Sequence, residues 1–364
     1  APSAAALRGP LSGEAAPALM AAHTPGLTHA GSPWTPVAVC ALLVGAVGYA
    51  WNRMQQPLIH PPSPTPIAMA AATGTQPEVK VDPNGGLKYV DLVHPNGSSA
   101  KVYLYGADVT SYKDKDGTEF IAVRPDAVMD GSKPISGGLS HCFPQFGPGA
   151  IQQHGFARNV EWSIVQLTET SAIFELLPSD YTRAMWDKPF RCLFQVTVTQ
   201  GSLDTELFVQ NTGDSDASFD FQAALHSYID ITSCHKVNIG TSAADQGFKR
   251  FTYIDRTVDP PEEKVEGVKE LRLNKPYDRI YRNLTNPIVF DGGKGKALRI
   301  EEQGGWKDVV IWNPYGNESM GYDKFVCVES VAYDPVKLYG GQSWSARMAL
   351  VPDTLNMRHP TRYR

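Results

Sequence analysis

From Phe194 to Gln200 the chain reads FQVTVTQ, so that Phe194, Val196 and Val198 alternate with Gln195, Thr197 and Thr199. A period of two marks a strand with one face in a core and the other in water. GSLD (Gly201–Asp204) follows as a turn and TELFVQN (Thr205–Asn211) returns, which predicts an antiparallel hairpin. SIVQLTET (Ser163–Thr170) and SAIFELL (Ser171–Leu177) repeat the pattern. AKVYLYGADVTSY, DFQAALHSYIDI, KDVVIWNP and DKFVCVESV add further strands, with Gly and Pro frequent between them. No long stretch shows helical periodicity. Many strands at short spacing predict an all-β protein, a large antiparallel β-sandwich forming one domain over 77–364.

The first quarter of the chain is patterned differently. Residues 1–31 are rich in Ala, Pro, Gly and Ser and carry only Arg8 and Glu14 as charges, a composition too poor in apolar bulk to fold alone. WTPVAVCALLVGAVGYAW (Trp34–Trp51) has no charge. As a helix its eighteen residues would span roughly 27 Å, close to the ~30 Å hydrocarbon core of a bilayer. Trp34 and Trp51 stand at its ends, where indole rings favour the interface, and Arg53 follows. Residues 32–54 are therefore expected to be a transmembrane helix. Residues 55–76, Pro-rich and then Ala-rich, are expected to be an extended linker.

Composition narrows the function. Apolar residues make up 42% of the 364, enough for a full core, and the formal charge of −5 argues against a nucleic-acid partner. An anionic substrate would need locally placed cations. The five cysteines, Cys40, Cys142, Cys192, Cys234 and Cys327, are odd in number and lack a CxxC pair. That pattern predicts buried reduced thiols rather than a disulfide framework or a zinc site.

Nucleophile elbows, P-loop glycines and HExxH pairs are absent. What remains are isolated polar residues in apolar strands. Glu329, after Phe-Val-Cys-Val, should be at least partly desolvated, which raises a carboxyl pKa toward neutrality and suits a general base. His226, in AALHSYID, could give or take a proton near pH 7. Taken singly, each reads more simply as a satisfied core residue. GPGAIQQHGFARN (Gly147–Asn159) is a polar loop without strand or helix pattern.

KPISGGLSHCFPQFGPGAIQQHGFARNVEWS (Lys133–Ser163), with LYGADVTSY before it and IWNPYG and VCVES after it, strongly resembles the hexose-6-phosphate mutarotases. These glucose-6-phosphate 1-epimerases belong to the aldose 1-epimerase superfamily, and the likeness is greatest to plant and algal members, over about residues 80–355. The resemblance implies a galactose-mutarotase-type sandwich and acid/base opening of a sugar ring without cofactor or metal. It implies His226 as the acid on the ring oxygen and Glu329 as the base on the anomeric hydroxyl. It implies Gln153, Arg158 and Asp278 as substrate contacts, with His154 lining the same pocket. Many members have Arg before the paired glycines; Ser136 stands there in this chain, as in plant-type members. Arg158 is then the foremost cation for a 6-phosphate, while Arg124 and Lys133 read more simply as solvated surface residues.

Two functional expectations follow. One is a membrane-tethered hexose-6-phosphate mutarotase acting on glucose 6-phosphate or a related aldose. The other is an accessory subunit of an organellar, thylakoid-type membrane complex built on the same fold with little or no activity. The plant and algal likeness implies a chloroplast location, at the thylakoid membrane with the large domain on the stromal side.

Overall fold

The computed structural model describes residues 77–242 and 246–354, which lie within one compact unit, Thr73–Arg364. The expected tail (1–31), membrane helix (32–54) and linker (55–76) lie outside the described residues. Among those described, no helix is long and apolar enough to cross a membrane.

The described residues form three sheets of four, seven and eight strands, antiparallel in every pair. Strict alternation sets the faces. In Phe190–Val198 every odd step of the strand is buried: Phe190, Cys192, Phe194, Val196 and Val198. This strand pairs with Leu203–Asn211, Val198 opposite Leu203, so the predicted hairpin stands with a turn closed by the Thr199 amide on the Ser202 carbonyl at 2.9 Å. AKVYLYGADVTSY is not one strand but two, Ser99–Tyr103 and Asp108–Lys113. The chain reverses between them through Gly106 and Ala107, at φ 74° and 45°. The one α-helix among the described residues, Asp180–Met185, begins at a Ser179/Thr182 capping box.

The seven- and eight-stranded sheets pack as a sandwich. Leu225, Ile229, Val309, Ile311, Val326 and Val328 of the first share one core with Phe194, Val196, Leu207 and Ile300 of the second. His141 bridges the layers, its ring edge-on to Phe194 at 4.3 Å and stacked on Trp162. Cys142, Cys192, Cys234 and Cys327 are all free and buried, as their spacing predicted. The other face of the seven-stranded sheet carries a smaller apolar cluster that includes Cys142, Phe146, Ala224, Ile280 and Val310. Beside that cluster lies the polar site.

Candidate active site

Strand register brings the predicted chemistry together. Ser218–Asp230 lies against Phe325–Tyr339 with Leu225 opposite Ser330 and Tyr228 opposite Cys327, which sets His226 against Glu329. Beyond them, Asp308–Asn313 sets Trp312 against Cys327, and Tyr277–Tyr281 sets Asp278 against Trp312. Leu225, Ile229, Val326 and Val328 point into the main core, so alternation turns His226, Tyr228, Cys327 and Glu329 to the opposite face. There His226, Glu329, Asp278 and Trp312 line a cavity of about 610 Å³. That volume lies within the roughly 300–1,000 Å³ of small-molecule sites.

The loop Gly147–Asn159 forms one wall. The Phe143 amide donates to the His154 carbonyl at 3.1 Å, and the Phe156 amide donates to the Phe143 carbonyl at 3.0 Å. Gly155 between them sits at φ 72°, where an added Cβ would lie 2.1 Å from the Phe143 oxygen, so only glycine permits the approach. His154 itself is left-handed at φ 66°. Its Nδ1 accepts from the Gly147 amide at 3.2 Å, with Cys142 Sγ also at 3.2 Å. The ring hydrogen therefore resides on Nε2, which lies 3.3 Å from the Gln153 amide. Gln153 accepts that hydrogen once its amide is turned oxygen-first. The two adjacent glutamines divide their work. Gln153 lines the cavity, whereas Gln152 donates to the Gly155 carbonyl and to Asn159 and holds the loop.

His226 Nε2 and Glu329 Oε1 are 3.5 Å apart. His226 stacks on Tyr228 and meets the His154 ring edge-on at 5.6 Å. His226 Nδ1 and Glu329 Oε2 have no hydrogen-bond partner among the described residues. Glu329 is only 2% exposed, and its burial, opposed chiefly by the nearby Arg256, pushes its pKa up to about 8. Burial, aided by His154 and Arg158, holds His226 well below the ordinary imidazole value. The neutral-range histidine expected from sequence is thus displaced, because its ring is packed against Tyr228, Trp312 and His154. Burial likewise lowers His154 to about 3.

Asp278 accepts from Arg256 at 2.8 Å (Nε) and 2.7 Å (Nη2). Burial raises the Asp278 pKa, and Arg256 opposes it. The Arg256 guanidinium also lies over the Phe146 ring at 5.3 Å. Arg158 donates from Nη2 to the Gln153 carbonyl at 3.1 Å, while its Nε is buried without a partner among the described residues. Arg124 and Lys133 line the cavity beside Ser136. The surface reading of Arg124 is corrected by its side chain, only 11% exposed, whose Nε donates to Asp126 at 2.9 Å.

The sequence profile of aldose 1-epimerases matches residues 88–350. This chain belongs to the aldose 1-epimerase family. A proposed glucose-6-phosphate 1-epimerase of Cenchrus ciliaris is 29% identical over 286 residues, covering 73% of this chain and 84% of that one. The corresponding Escherichia coli K12 protein is 27% identical over 266 residues, covering 67% and 84%. The crystal structure of a proposed mutarotase from Salmonella typhimurium superposes with a TM-score of 0.67 at 23% identity, over 78% of this chain and 96% of that one, and shows the shared fold.

In this aldose 1-epimerase family member, all six residues singled out from sequence line one cavity: Gln153, His154, Arg158, His226, Asp278 and Glu329. Sequence reading missed Arg256, Tyr228 and Trp312. Tyr228 and Trp312 share side-chain parity with His226 and with the strand facing Glu329, so alternation could have found them. Arg256, at the end of a strand in YIDRTV, gave no signal; only pairing with the Asp278 strand places it here.

Proposed function

We propose that the chain interconverts the α and β anomers of a hexose 6-phosphate, glucose 6-phosphate or a close relative, by acid/base ring opening. The supporting observation is an imidazole and a carboxyl 3.5 Å apart on the floor of one open cavity. His226 gives a proton to the ring oxygen while Glu329 takes one from the O1 hydroxyl. The C1–O5 bond breaks, the aldehyde turns about C1–C2, and reclosure reverses both transfers. The pair then needs one proton in total. Ring opening converts imidazolium and carboxylate into neutral imidazole and neutral carboxyl, the forms that burial favours. Each positioned group contributes about 10²–10⁴-fold.

Arg158, without a carboxylate partner among the described residues, is the foremost candidate to meet the phosphate, with Lys133 and Arg124 on the same rim in place of the arginine absent at Ser136. Gln153 and Asp278 hold the sugar hydroxyls, with His154 Nε2–H orienting the Gln153 amide in the same pocket. Residues 32–54 would tether this activity to a membrane, the stromal face of the thylakoid on the plant likeness. Anomer exchange by the full chain, measured by magnetisation-transfer NMR, tests the reading. Faster exchange of glucose 6-phosphate than of glucose is expected; exchange of neither overturns the enzyme assignment, and equal rates overturn the phosphate preference. Fractionation tests the tether: a chain that stays in the stroma overturns it.

A further inference from the structure

Two groupings of metal-ligating side chains occur among the described residues, His226/Cys327/Glu329 and Cys234/His235/Asp323. In the first, all three residues are buried and the ligand atoms fall within 4.8 Å of one another; His226 and Glu329 line the cavity, while Cys327 packs with Ala122, Tyr228 and Phe325. We propose that His226, Cys327 and Glu329 form an inhibitory site for one soft divalent cation, of the Zn²⁺ or Cd²⁺ class, which shuts the pocket by occupying the acid/base pair. The inhibitory consequence rests on the mutarotase reading; the binding does not.

Geometry supports it first. Tetrahedral zinc with N and O bonds of about 2.0–2.2 Å sets two such ligands roughly 3.3–3.6 Å apart. His226 Nε2 and Glu329 Oε1 already stand 3.5 Å apart. Cys327 is two residues before Glu329 on the same strand and therefore on the same face, with its sulfur within 4.8 Å of both other ligand atoms. Glu329 Oε2 and His226 Nδ1 lack partners among the described residues, so turning either group toward an ion breaks no hydrogen bond.

Charge supports it next. A dication with one thiolate, one carboxylate and a neutral imidazole sums to zero, so the buried complex carries no net charge to desolvate. As the sulfur–metal bond forms, the thiol proton leaves to solvent, as does any proton held by Glu329. No electron is transferred. Thiolate and imidazole select soft ions, whereas Mg²⁺ and Ca²⁺ require six or more oxygen ligands and find one carboxylate. The second grouping is built otherwise. Asp323 Oδ1 already accepts from the Ser233 hydroxyl at 2.8 Å and the Cys234 amide at 2.9 Å, and His235 is exposed. None of its residues lines the sugar cavity, so metal there would leave turnover intact.

The test titrates metal-free full-length chain with Cd²⁺, reading the ultraviolet thiolate-to-cadmium charge-transfer band alongside glucose 6-phosphate exchange. One equivalent should raise the band and abolish exchange, chelator should restore it, and Mg²⁺ should do neither. Cys327→Ser and Cys327→Ala should each abolish the band, which needs the thiolate, and weaken the inhibition by more than about 10–100-fold, the cost of losing a residue that merely supports a ligand, leaving metal-free exchange unchanged. Cys234→Ser should not alter them. In the unsubstituted chain, glucose 6-phosphate should compete with Cd²⁺ for the band. The site is overturned if no band appears, if the band survives the Cys327 substitutions, or if sugar phosphate and cadmium bind together. A chain that turns over no sugar at all would show the band and its Cys327 dependence regardless, so failure of the enzyme reading is seen separately.

Discussion

Replacing Glu329 by Gln should slow anomer exchange and shift the stability of the fold in a pH-dependent direction. The substitution keeps the shape and removes the titration. Loss of one positioned proton-transfer group predicts a rate about 10²–10⁴-fold lower, equivalent to roughly 3–5 kcal/mol in the barrier. The stability effect follows from the carboxyl value of about 8 in the fold against an ordinary 4.5. Between those values the unfolded chain has released the proton that the folded chain still holds, so stability of the parent falls as pH rises through this window. At pH 7 that amounts to about 2.5 pH units at ~1.36 kcal/mol each, roughly 3 kcal/mol that glutamine does not lose. The glutamine amide buries hydrogens that lack partners, which costs about 1–2 kcal/mol at any pH. The variant should therefore be less stable than the parent at pH 5 and more stable at pH 8, with crossing near pH 6. Urea unfolding at pH 5, 6.5 and 8 measures this. A stability difference constant in pH, or exchange near the parent rate, would refute the reasoning.

Other consequences are as specific. Gly155→Ala places a Cβ against the Phe143 carbonyl at a left-handed position. It should cost about 1–3 kcal/mol in thermal unfolding and raise KM by dislodging His154. Arg256→Met strands the half-buried Asp278, so KM for sugar should rise about 10–100-fold, with Arg256→Lys intermediate in binding assays. Because the pair must hold a single proton, wild-type exchange should be flat through neutrality and decline above about pH 8, where Glu329 ionises beside a neutral imidazole; a rate that climbs through pH 8 would exclude this proton count.

The alternation of FQVTVTQ and its neighbours was enough to read the sandwich, because a half-buried strand cannot hide a period of two. The same alternation hid the site. It places Leu225 and His226 on opposite faces, yet an apolar neighbourhood reads alike whether the second face meets a core or a loop. Nothing local tells that Gly147–Asn159 covers that face; the bonds from Phe143 to His154 and Phe156 do so across a dozen residues. Hence the desolvation expected of Glu329 is complete, and His226 is held below the range its residue type suggests. The family likeness named side chains that the fold brings to one cavity, because motif order survives where geometry is invisible. Arg256 was out of reach of either reading, since its role depends on one strand pairing beside Asp278.

The central claim is that His226 and Glu329 act as one unit on one sugar, and a double-substitution cycle tests it most directly. Magnetisation-transfer NMR on His226→Asn, Glu329→Gln and the double variant gives the three rates against the parent. Two groups serving a single concerted transfer should be strongly non-additive, the double variant being about as slow as the slower single one. Multiplying losses, or either single variant exchanging at close to the parent rate, would contradict the account.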